Sequence, residues 1–144
     1  MKRQFEEIEH TADLAIQVWG SDIADLFANA AHGMSCMLAE TVGEALEQEA
    51  LEEALTVRKT IELSAHDVEA LLVDWLSELL FLGEQEDVVF TKIDELHVSA
   101  NRLRASVRGG PARERRSAIK AVTFADLEIR ETARGLETAI VFDV

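Results

Sequence analysis

The stretch from Asp67 to Gly83 constrains the fold of this chain more than any other segment does. Its apolar residues recur at spacings of three and four, the period of one helical face (Val68, Leu71, Leu72, Trp75, Leu76, Leu79 and Leu80). The second half, LLFLG, is apolar on almost every side, so we expect it to be buried. Ser64 or Asp67 can cap the start of this helix, and Gly83 is predicted to close it. A helix of this kind needs other elements packed around it.

A second helix is predicted in the N-terminal part of the chain, after Ser21 or Asp22 as the capping residue. The same spacing of three and four runs through its apolar residues (Ile23, Leu26, Phe27, Ala30, Ala31, Met34, Met37 and Leu38). Gly33 lies inside this pattern, where glycine costs about 1 kcal/mol relative to alanine. We therefore expect Gly33 to permit a close packing contact.

The remaining segments have the pattern of β-strands. Residues 14–20 and 54–65 alternate between apolar and polar, residues 5–10 do so only imperfectly but are compatible with a strand, and residues 88–100 and 102–109 flank a turn at Asn101. Residues 119–132 and 136–144 flank Ala133–Gly135 as a hairpin, while the basic segment 109–117 is predicted to be a loop. The pattern predicts a single α+β domain over residues 1–144, with two long amphipathic helices packed on a mostly antiparallel sheet of about seven strands.

Charge is the strongest global property of the chain. Its 144 residues carry a formal net charge of −14, and an acidic surface repels nucleic acid at long range. Seven of the 14 basic residues nevertheless lie in residues 101–120, beside a single acidic residue. Cys36 is the only cysteine, the N-terminus turns acidic within six residues, and no apolar run approaches the length of a membrane span. These features predict a soluble, cytoplasmic protein without an internal disulfide and without a membrane partner.

Two clusters of oxygen-bearing residues are candidates for a metal site. His10 and Asp13 lie three residues apart between the first two strands, a spacing that suits metal binding or proton exchange but equally a capped turn. Asp143 and Val144 follow an apolar strand, and a carboxylate beside a chain-end carboxylate offers hard oxygen ligands for Ca²⁺, Mg²⁺ or Mn²⁺. The apolar strand before it argues for anchoring in the sheet, but from the residues alone we favour a frayed terminus with solvated charges.

Other polar groups have simpler interpretations. His32 and Cys36 lie one helical turn apart, but two ligands are too few for structural zinc, and we interpret them as a boundary histidine and a buried cysteine. His66 with Asp67 fits a helix cap, and His97 has no evident partner in the sequence. The basic residues of segment 102–120, among them Arg113, Arg115 and Arg116, fit contact with RNA or an acidic protein, or simply a solvated face.

Several segments taken together resemble one protein family. EHTADLAIQVWGSDIADLFANAAHGM resembles the opening of archease proteins, and DVEALLVDWLSELL, IKAVTF and AIVFDV are similar to later archease segments in the same order. The resemblance implies a non-catalytic protein cofactor of an RtcB-type RNA ligase, which promotes guanylylation and multiple turnover of the ligase in tRNA splicing or RNA repair. RNA is then contacted indirectly, through the ligase.

The resemblance also implies a metal site. It assigns Asp13 and Asp143 as ligands of a divalent ion, Ca²⁺ first and Mg²⁺ or Mn²⁺ as alternatives, with Val144 adjoining and His10 as an orienting neighbour. One departure from the family is Phe124-Ala125, where many members have Tyr-His after Lys-Ala-Val-Thr. The alternative functions are a metal-dependent hydrolase that uses the same residues, and an RNA-binding adaptor that uses segment 102–120.

Overall fold

The structure is a computed structural model and describes residues 4–10, 13–41, 54–115, 118–125 and 127–144; of residues 9, 10, 13, 39–41 and 113–115 it describes the backbone only. In chain order the elements are β1 (Phe5–His10), β2 (Asp13–Gly20), α1 (Ile23–Leu38), β3 (Ala39–Thr41), β4 (Val57–Ser64), α2 (Val68–Glu86), β5 (Val89–Ser99), β6 (Arg102–Gly110), β7 (Ala112–Arg115), β8 (Ala121–Val122), β9 (Arg130–Thr132) and β10 (Gly135–Asp143).

The strands form three sheets in which every pairing is antiparallel. The main sheet has the order β1-β2-β10-β8, with β9 also paired to β10. A second sheet has the order β4-β6-β5, and β3 pairs with β7. The predicted α+β class with two helices and antiparallel sheets is confirmed. The described residues contain ten strands rather than about seven, because β3, β7, β8 and β9 have only two to four residues each and are too short to give an alternating pattern.

Helix α1 begins with reciprocal capping of its first turn. The Asp22 carboxylate accepts a hydrogen bond of 2.8 Å from the backbone N–H of Asp25, and the Asp25 carboxylate accepts one of 2.8 Å from the N–H of Ser21. A Cβ atom at Gly33 would lie 2.9 Å from Ile16 Cδ1 and 3.1 Å from Phe5 Cγ. The expected close contact at Gly33 is therefore confirmed, and it brings α1 against the main sheet.

Helix α2 begins as predicted, but its burial differs from the expectation in one place. Asp67 is the N-cap, and its carboxylate accepts a 2.7 Å hydrogen bond from the N–H of Ala70. Trp75 is fully buried and its indole N–H donates to the carbonyl of Phe27, which joins the two helices. Phe81 is 56% exposed, so the LLFLG segment is not buried on every side. No helix in the described part of the chain is long and apolar enough to cross a membrane.

The end of α2 also differs from the prediction. The helix continues past Gly83 to Glu86, and Asp87 is the C-cap in the left-handed region, with φ 55°. The Gly83 carbonyl accepts a 2.9 Å hydrogen bond from the N–H of Val88, and a Cβ at Gly83 would lie 2.8 Å from the Val88 carbonyl oxygen. Gly83 therefore lets the chain turn back closely over the last helical turn, but it does not itself end the helix.

The basic segment 109–117 was predicted as a loop, and this is wrong for most of its described residues. Strand β6 runs through Gly110, and Ala112–Arg115 forms β7 against β3. Gly110 passes so close to the Ala54 carbonyl that a Cβ would collide with it. The glycines therefore serve close backbone approach within a strand rather than a turn.

Residues 119–132 were predicted as one strand, but the structure divides them. Only β8 and β9 are extended, and a turn lies between them. The Thr123 hydroxyl accepts from the N–H of Ala125 at 3.2 Å, and the Leu127 N–H donates to the Phe124 carbonyl at 3.1 Å. These local hydrogen bonds compete with strand pairing. The hairpin between β9 and β10 is confirmed, with Gly135 at φ 102°.

One apolar core joins both helices to the inner faces of the main sheet and the β4-β6-β5 sheet. Its largest fully buried side chains are Trp75, Phe27, Phe142, Ile16, Leu26, Leu71, Leu72, Leu76 and Ile140. Each such side chain contributes about 1.5–3 kcal/mol on burial. Because β2 and β10 are pinned to this core, their ends are held at fixed positions.

Candidate metal centre

The backbone brings the predicted metal ligands to one end of the main sheet. In the register of β2 with β10, the last pair is Phe142 with Leu14, and Asp143 and Asp13 are the next residues beyond it. On the other side of β2, His10 pairs directly with Asp13. Three adjacent strands therefore carry His10, Asp13 and Asp143 to the same rim. From the sequence, only the family resemblance indicated that these residues lie close together.

The last strand is held firmly up to this rim. The Lys120 N–H donates a 2.7 Å hydrogen bond to the Asp143 carbonyl, and the N–H and hydroxyl of Thr123 both donate to the Val141 carbonyl at 3.0 Å. Phe142, the residue before Asp143, is fully buried. The frayed end that the residues alone favoured is therefore wrong for β10, which is hydrogen-bonded as far as the Asp143 carbonyl.

The chemistry of these residues fits a hard divalent cation. Asp143 is exposed and Val144 is 44% exposed, so both are accessible to an ion from solvent. The side chains of His10 and Asp13 lie outside the described part of the chain. Among the described side chains, no three His, Cys, Asp or Glu residues come together. Carboxylate oxygens are the donors that Ca²⁺, Mg²⁺ and Mn²⁺ prefer, and the binding of any of them stays a prediction.

The other histidines are engaged in small local contacts. Cys36 is buried and its sulfur lies 3.9 Å from His32 Nε2, while the His32 ring packs edge-on against Phe5. This agrees with the interpretation of a buried cysteine and a boundary histidine. His97, for which the sequence indicated no partner, lies 2.9 Å from the Glu95 carboxylate.

The structure describes only part of the three arginines proposed as partner contacts in segment 102–120. Arg113 and Arg115 belong to β7, but their side chains lie outside the described residues, and Arg116 lies outside them entirely. Phe124, where the family resemblance leads us to expect a tyrosine, is 58% exposed. The next residue, Ala125, is exposed in the turn after β8.

A polar cluster on the main sheet was missed by the sequence analysis. The Arg134 guanidinium stacks 3.8 Å from the centre of the Trp19 ring and donates two hydrogen bonds, of 2.9 and 3.1 Å, to the Glu137 carboxylate. Gln17 and Thr132 donate to the same carboxylate. Hydrogen bonding from Arg134 holds the pKa of Glu137 below its usual value. The cluster fixes the β9–β10 hairpin to β2, and no sequence spacing predicts it because its members come from three strands.

The comparison with known protein families covers nearly the whole chain. The model of the Archease protein family matches residues 5–144. The protein archease of Methanosarcina mazei is 33% identical over 150 residues, which cover 99% of this chain and 97% of the relative. The chain belongs to the archease family.

Solved archease-like structures share the fold. The solution structure of protein 1598 from Methanobacterium thermoautotrophicum is 26% identical, covers 99% of this chain and 100% of its own, and superposes with a TM-score of 0.72. A crystal structure from Thermotoga maritima, described as an archease and possible chaperone, is 20% identical, covers 96% of both chains and gives a TM-score of 0.61. The fold described above is therefore the archease fold.

Proposed function

We propose that this chain is a non-catalytic helper protein that binds a divalent metal ion at the β2–β10 rim and activates an RtcB-type RNA ligase in the cytoplasm. In this function it promotes guanylylation and multiple turnover of the ligase during tRNA splicing or RNA repair. The observation that supports the proposal is the pairing of Phe142 with Leu14, because Asp143 and Asp13 are the next residues beyond this pair on the two strands. Membership of the archease family supports the helper class.

The rim suits a role that depends on another protein. Two aspartates and the adjoining Val144 supply fewer oxygens than the six to eight that Ca²⁺ takes, so a bound ion keeps coordination positions for water or a partner. The rim residues hold the ion at an exposed edge, where it adds positive charge to an otherwise acidic protein. Such an edge fits insertion into the active site of a larger protein better than enclosure of a small substrate.

Ligation of a 3′-phosphate RNA by the cognate ligase, at limiting ligase concentration, tests the helper function. Wild-type protein should raise the number of turnovers per ligase, whereas Asp13→Ala and Asp143→Ala should reduce the stimulation by at least about tenfold, the loss expected when a metal ligand is removed. Asp74→Ala on helix α2 is the matched control and should stimulate fully. Equal stimulation by all four proteins would exclude the rim as the working site.

Metal binding is tested separately by calorimetric titration with Ca²⁺, Mg²⁺ and Mn²⁺ in the absence of ligase. The wild type should bind at one site, and Asp143→Ala should abolish this binding, while Asp74→Ala leaves it unchanged. Binding without ligase stimulation would keep the metal site but remove the helper function, and phosphate ester hydrolysis by the metal-loaded protein would then favour the hydrolase alternative. Stimulation without binding would remove the metal from the proposal.

A further inference from the structure

The β4-β6-β5 sheet has one buried face and one open face. Helices α1 and α2 pack on the side that carries Ile61, Leu103 and Val107, all nearly fully buried. The residues between them in sequence face the other way, and in the described part of the chain no element packs on that side. We define this outer face by its polar positions: Arg58, Thr60, Glu62, Ser64, Lys92, Asp94, Glu95, His97, Ser99, Arg102, Arg104, Ser106 and Arg108.

The outer face reverses the charge of the molecule. It holds five arginine or lysine residues and three carboxylates, which gives a net charge of +2. Because the whole chain has a net charge of −14, the residues outside this face have a net charge of −16. Strand pairing creates this concentration, because Arg58 and Lys92 come from outside the basic segment 102–120. The register aligns them with Arg108 in one row across the three strands.

The cations differ in how firmly they are already paired. Arg108 makes two hydrogen bonds, of 2.8 and 2.9 Å, to Asp94, and these bonds hold the pKa of Asp94 below its usual value. Arg104 and Glu62 approach only to 3.7 Å with both side chains about two-thirds exposed, a pairing that contributes little. Within the described residues, Arg58 and Arg102 have no ion-pair partner. Three arginines are therefore available to an anion from solvent.

The neutral residues of the outer face indicate which class of macromolecule it can bind. Ser64, Ser99 and Ser106 alternate with the arginines, and an open groove runs past His97 between Arg102 and Arg104. Arginine and hydroxyl side chains are the groups that contact nucleic-acid phosphates. The outward positions from Arg58 to Ser64 on β4 and from Arg102 to Arg108 on β6 are all polar or charged, and none of the positions that define the face is Phe, Tyr or Trp. Protein interfaces need such anchors at their centre, whereas nucleic-acid interfaces are more polar and more positively charged.

We propose that the outer face of the β4-β6-β5 sheet binds the sugar-phosphate backbone of RNA. The face offers one imidazole, His97, and no Phe, Tyr or Trp as a platform for base stacking, so we expect the contact to rest on phosphates, with little dependence on RNA sequence and a strong dependence on salt. The −14 charge lowers affinity at long range, but at about 0.1 M salt charges are screened beyond roughly 10 Å, so the local charge governs close contact. The contact goes beyond the proposed helper function, which has RNA reached through the ligase, and does not depend on it.

Fluorescence anisotropy of a labelled RNA hairpin, titrated with the full chain at several salt concentrations and without ligase, tests this contact. The triple variant Arg58→Gln/Arg102→Gln/Arg104→Gln should weaken binding at low salt by about tenfold or more and flatten the salt dependence by roughly one logarithmic unit per lost phosphate contact. The control Lys59→Gln/Lys120→Gln/Arg130→Gln removes the same number of positive charges from described residues outside the outer face and should bind within a few fold of the wild type. The lysine triple Arg58→Lys/Arg102→Lys/Arg104→Lys should retain most of the binding, because the positive charges remain.

Each other outcome overturns the proposal. Equal losses in both glutamine triples would show that net charge, and not the outer face, governs RNA binding. Competition by polyglutamate as effective as competition by unlabelled RNA would assign the face to an acidic protein. Absence of binding by wild-type protein at low salt, with circular dichroism showing a folded chain, would exclude an RNA contact of this face. None of these results bears on ligase stimulation, which is measured independently.

Discussion

The strand-end rim of the main sheet and the outer face of the β4-β6-β5 sheet place their charges in opposite ways. At the rim, acidic residues follow directly after fully buried core residues, as Asp143 follows Phe142. On the outer face, basic residues occupy the middle of long strands and alternate with core residues, as Arg104 does between Leu103 and Ala105. A rim is thus fixed by where strands end, whereas a face is fixed by how strands pair.

The largest effect on stability is expected from the residue that anchors the rim. Phe142→Ala should lower the free energy of unfolding by about 3–5 kcal/mol, because it removes a fully buried aromatic side chain and leaves a cavity. Asp143→Ala, one residue away, should change it by no more than about 0.5 kcal/mol, because that side chain is exposed. Urea denaturation measures both. A loss at Asp143 as large as that at Phe142 would mean that the rim carboxylate is structural.

Phe81→Ala is the matched control for this comparison. It makes the same substitution at a phenylalanine that is 56% exposed, so its cost should be well below that of Phe142→Ala. If both substitutions lower the free energy of unfolding by the same amount, the Phe81 side chain is buried in the protein in solution, contrary to the structure.

The sequence predicted the core more completely than either charged region. The spacings of three and four located both helices, and alternation located β4, β5 and β6, because burial imposes a period on every long element. Phe81 escapes the same reasoning, since an apolar residue in a buried helix is not obliged to be buried itself. Gly83 was misassigned because a glycine that permits a close contact and one that ends a helix look identical in sequence.

The residues of a candidate site could be predicted from the sequence only where they belong to a recognisable sequence motif. Asp13 and Asp143 lie 130 positions apart in the chain, and from the sequence only the family resemblance indicated their proximity, whereas the register shows that both lie one residue beyond the Phe142–Leu14 pair. The outer face has no motif, because Arg58 and His97 join Arg102 and Arg104 through antiparallel pairing alone. A charge count along the chain finds the basic segment but not the two-dimensional patch.

An intermediate effect is expected from the polar cluster of the main sheet. Glu137→Gln removes the carboxylate that accepts from Arg134, Gln17 and Thr132, and should cost about 1–2 kcal/mol at neutral pH. The folded-state pKa of Glu137 lies below its unfolded value of about 4.3, so this contribution is fully present above that pH. It is lost as the pH falls through the lowered folded-state pKa.

Urea denaturation of wild type and Glu137→Gln between neutral and acidic pH measures this dependence. The difference in unfolding free energy should be constant near neutrality and shrink in acid. Glu131→Gln on the neighbouring strand β9, an exposed position, should track the wild type throughout. A difference that grows on acidification would contradict the sign derived from the lowered pKa.

The smallest effect on stability is expected on the outer face, and it separates the two regions most clearly. Arg104→Gln should cost less than about 0.5 kcal/mol, because its approach to Glu62 is long and both side chains are well exposed. Arg108→Gln on the same strand should cost more, because it leaves Asp94 without two hydrogen bonds in a partly buried setting. Urea denaturation distinguishes the two.

A small cost for Arg104→Gln would mean that the fold does not require the positive charge of Arg104, so that this charge is available to bind an anion from solvent. If Arg104→Gln costs as much as Arg108→Gln, the Arg104 guanidinium stabilises the sheet, and the case that it contacts RNA is weaker.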